Sequence, residues 1–504
     1  MANTNTFYIT TSIPYVNASP HIGFAIELLQ ADILARWHRL IGDDTFFLTG
    51  TDENTLKLIK SAAKEGTQPQ ELADKYAGEF QRLTEVAAVT NDAFIRTTDE
   101  AHHHPGATKV WQALDQAGFI YKGEYSGKYC VDCEQFYTDK EITDNACPVH
   151  QTPLEQRSEE NYLFKLSAFT DQIREALSSG TFQIQPETRR NEILGLLKGG
   201  LQDVSFSRPA DKLTMGVPVP GDASQRMYVW CDALTNYLTG IGYGWDDTLF
   251  ERFWPADVHI IGKDIIRFHA AIWPAMLLGA GITLPKLLYV HGHITIDGAK
   301  MSKSKGNVVD PFALFEQKGV DPVRYYLARA LPFAGDGDYS ESHFQEVYDS
   351  ELANDFGNLV SRVIAMIDSG YEGIVPEGTI DPEVREEIGQ TWQHVKLLFD
   401  ECRLTEAIDA MNALASRTNK YIERKQPFHQ EGQEKENTLF TLAQVVGNLA
   451  MLYAPILPNT AAELQRRLGL AHRAGEVHNV TAWEKLPAGT KVVRGEPLFP
   501  KHHE

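Results

Sequence analysis

Three lysines fall within six residues, at Lys300, Lys303 and Lys305, spaced by Ser302 and Ser304 and followed by Gly306. Small hydroxyls and glycine favour a loop, so the run Lys300-Met301-Ser302-Lys303-Ser304 predicts a mobile cationic clamp suited to a polyphosphate. Alone, such a run is usually a solvated turn. A counterpart lies far upstream, Ser19-Pro20-His21-Ile22-Gly23. There a good cap at Ser19 and a proline suited to the first helical position mark the mouth of a helix. Helix N-termini offer unpaired N–H groups and a positive dipole to phosphate. Together the two segments point to an enzyme that activates a carboxylate with ATP. His21 by itself is equally readable as a surface cap residue.

Two further groups carry chemistry. Cys130-Val-Asp-Cys133 and Cys147-Pro-Val-His150 are paired ligands, each pair with two residues between, and thirteen residues separate the pairs. Two such turns present three thiolates and one imidazole tetrahedrally to Zn²⁺ in a closed, structural site; the alternative is buried free cysteines and a surface histidine. Asp52 and Asp264 each follow a short apolar, β-branched run. A carboxylate after a strand and a glycine, as at Asp264, can accept both ribose hydroxyls or can cap the next helix. Asp52 is harder to explain as core, because isolated buried carboxylates are costly.

The elements that must position these groups follow from the pattern. Phe7–Thr11 reads as a strand, Phe24, Leu28, Ile33, Leu34, Trp37 and Leu40 recur at helical spacing up to Gly42, and Thr45–Thr49 is the next strand. Val258–Ile261 and Leu287–Val290 look like later strands of the same sheet. Strand–helix alternation predicts a doubly wound parallel α/β sheet, with His21, Asp52, Asp264 and His291 gathered where its strands end. Residues 117–203 break the alternation and read as an insertion bearing the cysteines; residues 347–468 turn helical. The expected division is a nucleotide-binding domain over 1–116 and 204–300, the insertion over 117–203, a loop and connecting region over 301–346, and a helical domain with its tail over 347–504.

A chain of 504 residues needs several cores. No apolar run reaches membrane-spanning length and no basic-then-apolar leader opens the sequence, so the expected place is the cytoplasm. A net charge of −21 opposes nucleic-acid binding except on a local basic face.

The ordered set His21-Ile22-Gly23-Phe24, Pro14-Tyr15-Val16-Asn17, Gly50-Thr51-Asp52-Glu53, Tyr228-Val229-Trp230-Cys231-Asp232-Ala233, Gly262-Lys263-Asp264-Ile265, Phe268-His269, Trp273-Pro274-Ala275-Met276, Lys300–Ser304 and Asn358-Leu359-Val360-Ser361-Arg362 resembles the methionyl-tRNA synthetases, class I aminoacyl-tRNA synthetases, over nearly the whole chain. The single knuckle Cys130, Cys133, Cys147, His150 resembles the one-zinc subgroup. The resemblance implies a two-step reaction, in which methionine and ATP form methionyl-adenylate before tRNA takes the methionyl group. It implies catalytic roles for His21, Lys300 and Lys303, and an ATP site formed by these three with Gly23, Gly262, Asp264 and His291. A methionine pocket of Ser12, Ile13, Tyr15, Asp52, Trp230, Tyr237 and His269 is implied, with Asp52 on the ammonium. Aromatic walls suit a thioether, although Trp230 and Tyr237, seven apart, are also readable as one core-facing helical stripe. Asn358, Arg362 and Phe428 would read the anticodon by hydrogen bonding and stacking; Asn358 and Arg362 are otherwise an ordinary surface pair. The implied cofactors are one structural Zn²⁺ and Mg²⁺ with ATP; the implied partners are ATP, L-methionine and methionine tRNA, initiator included, acting on a monomer.

The sequence departs from the family pattern at three places: Phe24 where a second histidine is usual, Asn54-Thr55 where His-Gly is usual, and Phe428 where tryptophan is usual. A benzyl group donates no hydrogen bond. These departures leave a second reading open, a synthetase-like protein that binds tRNA or a small ligand without aminoacylation. A third is a synthetase for another aliphatic amino acid.

Overall fold

The computed structural model describes residues 5–131, 135–137, 142, 145–148, 151–300, 308–330, 332–470 and 486–501. Strands β1 (Thr6–Thr11), β2 (Asp44–Thr51) and β3 (Ala93–Arg96) begin one parallel sheet. The insertion follows with β4 (Ile120–Cys130), β5 (Gln135–Tyr137) and β6 (Glu155–Phe164). After β7 (Gln183–Gln185), the short β8 (Val204–Ser205) closes the insertion's four-stranded sheet, order β5-β4-β6-β8. A small sheet of β9 (Ser207–Pro209), β10 (Pro218–Val219) and β11 (Asp222–Met227) leads back to β12 (Val258–Gly262) and β13 (Leu287–His291). The last strands are β14 (Ile294–Ile296), β15 (Ala299–Lys300) and β16 (Gly337–Tyr339).

The main sheet has the order β3-β2-β1-β12-β13-β7, and every pairing in it is parallel. Its central strands are buried on both sides. Ile9 of β1 and Ile260 of β12 enter one apolar core, whereas Ile261, Leu288 and Val290 enter another on the opposite face. This alternation is what a sheet covered on both faces requires. The edge strand β7 lies within residues 117–203, the stretch expected to be insertion, yet it pairs with β13 in the main sheet.

The first helix, α1 (Ile22–Leu40), starts later than the sequence suggested. His21, not Ser19, is its N-cap, with extended backbone at φ −122°, and Gly23 N donates to His21 Nδ1 at 3.1 Å. The His21 ring nitrogen supplies the acceptor that a capping hydroxyl would otherwise give. The C-terminal end of α1 reaches the helical domain: Trp37 stacks on Phe399 (4.7 Å) and Trp392 (6.0 Å) of the helix Pro382–Asp400. Nearby, fully buried Arg324 pairs with Asp32 of α1 at 2.7 Å. It also donates to the carbonyls of Ala87, Pro455 and Ile456.

The helical domain contains Asn358–Tyr371, Pro382–Asp400, Leu404–Lys425, Gly432–Leu452 and Pro458–Arg467. Residues 486–501 fold back along it. Leu486 N donates to buried Gln444 (3.0 Å), Val375 N to Thr490 O (2.9 Å) and Tyr348 OH to Pro500 O (2.8 Å). Among the described residues no helix is long and apolar enough to cross a membrane.

Candidate active site

Parallel neighbours β1, β2, β12 and β13 end along one edge of the sheet, so the residues after them face one crevice. Ser12 follows β1, Asp52 follows β2, Lys263 and Asp264 follow β12, and Gly292 and His293 follow β13. The mouth of α1 opens beside them. Because His21 Nδ1 accepts from Gly23 N, a neutral ring keeps its proton on Nε2, which makes that atom a donor. His21 is exposed.

Below the crevice floor lies Glu27, a carboxylate on the buried face of α1. Its Oε1 accepts from Ser12 N and Ser12 Oγ, both at 2.6 Å, and its Oε2 meets His291 Nε2 at 2.9 Å. His291 Nδ1 lies 2.8 Å from Gly292 O. Burial opposes charge on this ring, but the Glu27 carboxylate and the Gly292 carbonyl outweigh it and raise its pKa. His291 is only 7% exposed, and its ring braces Glu27.

An aromatic box adjoins the ends of β1 and β2. Trp230 stacks face to face on Phe268 at 3.8 Å and 7°. Tyr15 and His269 stand 6.4 and 5.9 Å from Trp230. Tyr237 lies near His269, its OH 2.8 Å from Nε2, while His269 Nδ1 is 3.0 Å from Ile265 O. Burial pushes the His269 pKa down to about 4, and these partners fix one neutral tautomer: Nδ1–H donates to Ile265 O and Nε2 accepts from Tyr237. Trp230 and Tyr237 do not share a continuous helix; they sit on two short ones, Val229–Ala233 and Asn236–Thr239. Asp52 is 2% exposed beside Tyr15, its N donating to Pro14 O at 2.9 Å. The described residues thus bring together Ser12, Tyr15, Asp52, Trp230, Tyr237 and His269, with Ile13 between Ser12 and Pro14.

Behind the box is a fully buried polar cluster that the sequence reading missed. Asp232 accepts from Asn54 Nδ2 at 2.7 Å and lies 2.5 Å from His103 Nε2; His103 Nδ1 reaches Thr239 Oγ1 at 2.9 Å. Asn54 also donates to Thr97 O (2.9 Å). The Asn54 amide thus serves two acceptors, Asp232 and Thr97 O. Thr55 accepts from Leu58 N (3.0 Å) and caps the helix Leu56–Glu65. Glu27 and Asp232 each left a signal, a carboxylate set among apolar neighbours, since such groups stay buried only when paired.

The Phe24 ring turns inward. It is 7% exposed and meets Phe80 of the helix Pro69–Val86 edge-on at 5.1 Å. On the other rim, Asp264 Oδ2 lies 2.6 Å from His293 Nε2. Burial raises the Asp264 pKa, but the His293 hydrogen bond and the charges of His293, Lys300 and Lys263 more than offset this and hold it low. Lys300 ends β15 in the hairpin that turns through Asp297 and Gly298, both at positive φ; Lys303 lies outside the described residues.

Of the metal-ligand set, Cys130 and Cys147 are fully buried in one small cluster with Tyr137 and Leu154. Cys147 heads a tight turn, its N donating to Thr152 O and its O accepting from Gln151 N. Cys133 and His150 lie outside the described residues, within which no cluster of three candidate ligands forms. In the helical domain, Asn358 and Arg362 are exposed on one helix, Arg362 reaching toward Asn419 Oδ1 (3.5 Å) of the helix Leu404–Lys425. Phe428 follows that helix and is 61% exposed.

Two family models match the chain: "tRNA synthetases class I (M)" over residues 7–155 and 141–364, and "Anticodon binding domain of methionyl tRNA ligase" over 375–504. The methionine–tRNA ligase of Thermotoga maritima is 41% identical, covering 98% of this chain and 80% of the relative. That of Brucella suis is 40% identical, covering 99% and 98%. Mycobacterium tuberculosis methionyl-tRNA synthetase in complex with methionyl-adenylate superposes with a TM-score of 0.93 at 39% identity, over 99% of this chain and 100% of that one. Its apo form gives 0.86 at 37% identity, over 100% and 99%.

Proposed function

The chain belongs to the methionyl-tRNA synthetase family, and from that we infer how its crevice attaches methionine to tRNA. It is a class I aminoacyl-tRNA synthetase, a methionine–tRNA ligase, and needs both substrates beside one helix mouth. The observation that carries the reading is the union, at one sheet edge, of the His21 cap with the Tyr15–Trp230–Tyr237–His269 box.

A methionine carboxylate oxygen attacks the α-phosphorus of ATP; the bond to the β-phosphate oxygen breaks, and pyrophosphate leaves. The adenosine hydroxyl at the tRNA 3′ end then attacks the carbonyl, releasing AMP. No protein atom forms a bond, so these residues act by position and charge. His21 Nε2–H, the α1 dipole, Lys300 and Lys303 stabilise the phosphate oxygens. Gly23 lets the nucleotide approach the backbone. Gly262 and Asp264 hold the ribose, and His291 contributes indirectly by fixing Glu27. Asp52 takes the ammonium, Ser12 and Ile13 offer backbone, and the box surrounds the thioether. Neutral His269 adds no cation to that pocket. Mg²⁺ accompanies the ATP phosphates.

The buried thiols Cys130 and Cys147 in one apolar cluster fit zinc, with Cys133 and His150 completing the set. Zinc there supplies folding energy to the insertion and takes no part in the reaction. Asn358, Arg362 and Phe428 form an exposed anticodon-reading face for methionine tRNAs, initiator included. A cytoplasmic monomer completes the reading. The test is ATP–pyrophosphate exchange with methionine, leucine, isoleucine, valine and cysteine in parallel, followed by tRNA charging. Exchange with methionine alone is expected; none above background from folded protein would leave the non-catalytic alternative standing.

A further inference from the structure

His293 stands immediately before β14 and two residues after β13, so it joins the sheet edge to the hairpin that ends in Lys300. Two polar contacts fix it, and a third braces one of its partners. Its Nε2 lies 2.6 Å from Asp264 Oδ2, its backbone N donates to Asp336 Oδ1 at 2.8 Å, and Asp336 is itself gripped by Lys263 Nζ at 2.7 and 2.8 Å. The backbone here leaves no slack: a Cβ on Gly292 would stand 1.9 Å from Gly335 O. The His293 ring is therefore delivered to Asp264 by a rigid turn, while the Asp264 side chain remains 55% exposed toward the crevice.

A carboxylate with one oxygen held has a defined rotamer, and its other oxygen and remaining lone pairs face outward. Without that hold, an exposed aspartate samples several rotamers and loses this freedom on binding, a cost set against affinity. We propose that His293 is a positioning residue for nucleotide binding: it presets the Asp264 carboxylate to accept the ribose hydroxyls. The proposal rests on the reading of Asp264 as the ribose-binding residue. His293 donates to the carboxylate and touches no reacting atom, so its contribution falls on ATP affinity rather than on the chemical step.

The experiment is pyrophosphate exchange at saturating methionine, with ATP or 2′-deoxy-ATP varied. The chains compared are the native one, His293→Phe, His293→Gln, Asp264→Asn and the double His293→Phe/Asp264→Asn. His293→Phe raises KM for ATP by about five- to twentyfold, the loss of one charge-assisted hydrogen bond, with kcat and the methionine KM little changed. His293→Gln, which keeps a donor, recovers most of the loss. The penalty shrinks with 2′-deoxy-ATP, which offers the carboxylate one hydroxyl fewer, and vanishes in the Asp264→Asn background. If Asp264→Asn raises KM for ATP but His293→Phe leaves it unchanged or lowers it, the inference falls and the ribose reading stands. If the two substitutions act additively, the inference falls as well. If Asp264→Asn leaves KM for ATP unchanged, the ribose reading itself fails.

Discussion

Replacing Phe24 by histidine puts a hydrogen-bond donor in the first turn of α1, and the packing of the ring sets what that costs. The phenyl ring is 7% exposed and packs edge-on against Phe80 at 5.1 Å. Burying a phenyl group is worth about 2–3 kcal/mol, and an aromatic pair adds about 0.5–1.5. An imidazole keeps part of this, so drawing the side chain out of the core toward phosphate costs about 1–3 kcal/mol, a factor near thirty at the midpoint. A well-aimed donor gains about a hundred- to a thousandfold in rate. Much of the gain is offset, and Phe24→His should change kcat for pyrophosphate exchange by about tenfold or less. Its thermal unfolding midpoint should fall at the same time. The assay pairs exchange at saturating methionine and ATP with a thermal melt of each protein. A thousandfold faster exchange with an unchanged melt would refute the reasoning, because the ring would then be blocking the site without supporting the core.

Tyr237→Phe keeps the ring but removes the hydroxyl that donates to buried His269 Nε2. An orphaned buried acceptor costs about 1–3 kcal/mol, so KM for methionine should rise by roughly five- to a hundredfold in exchange assays, with KM for ATP little changed. Cys130→Ser should lower the zinc content measured by elemental analysis and destabilise the insertion, which limited proteolysis would detect, and a chelator should do the same to the native chain. Arg324→Met removes one of the two cations on buried Asp32, which keeps Arg36 at 2.7 Å and the Thr90 donors, and should cost about 1–3 kcal/mol. The double Asp32→Leu/Arg324→Met should recover little of it in a denaturant melt, because Arg36 and the Thr90 N–H and hydroxyl then lose their acceptor.

The candidate site was legible where it sits at punctuation, at strand ends and a helix mouth. Asp52, Asp264, His21 and the strands before them all read directly from local pattern. What escaped was long-range. Gln183–Gln185 carries only three residues of strand signal, and its place beside β13 is set by a partner a hundred positions away. The Ser19 cap looked better than His21 because cap preference favours a hydroxyl, but a ring nitrogen can accept the same N–H. Residues 486–501 have no periodicity, since their order comes from docking on other helices. The inward turn of Phe24 depended on Phe80, which no local rule connects to it.

The position of β1 has a consequence for how the chain is made. One edge of β1 is covered by β2 soon after it emerges, but the other waits for β12, where Thr10 meets His259 across 249 residues. At ribosomal rates of about 5–20 residues per second the wait is about 12–50 seconds. Throughout it, a hydrophobic strand in the middle of the future sheet presents an open row of N–H and C=O groups, the kind of edge that invites pairing with another chain. The centre of the finished sheet is thus an open edge for as long as β12 is still to be made.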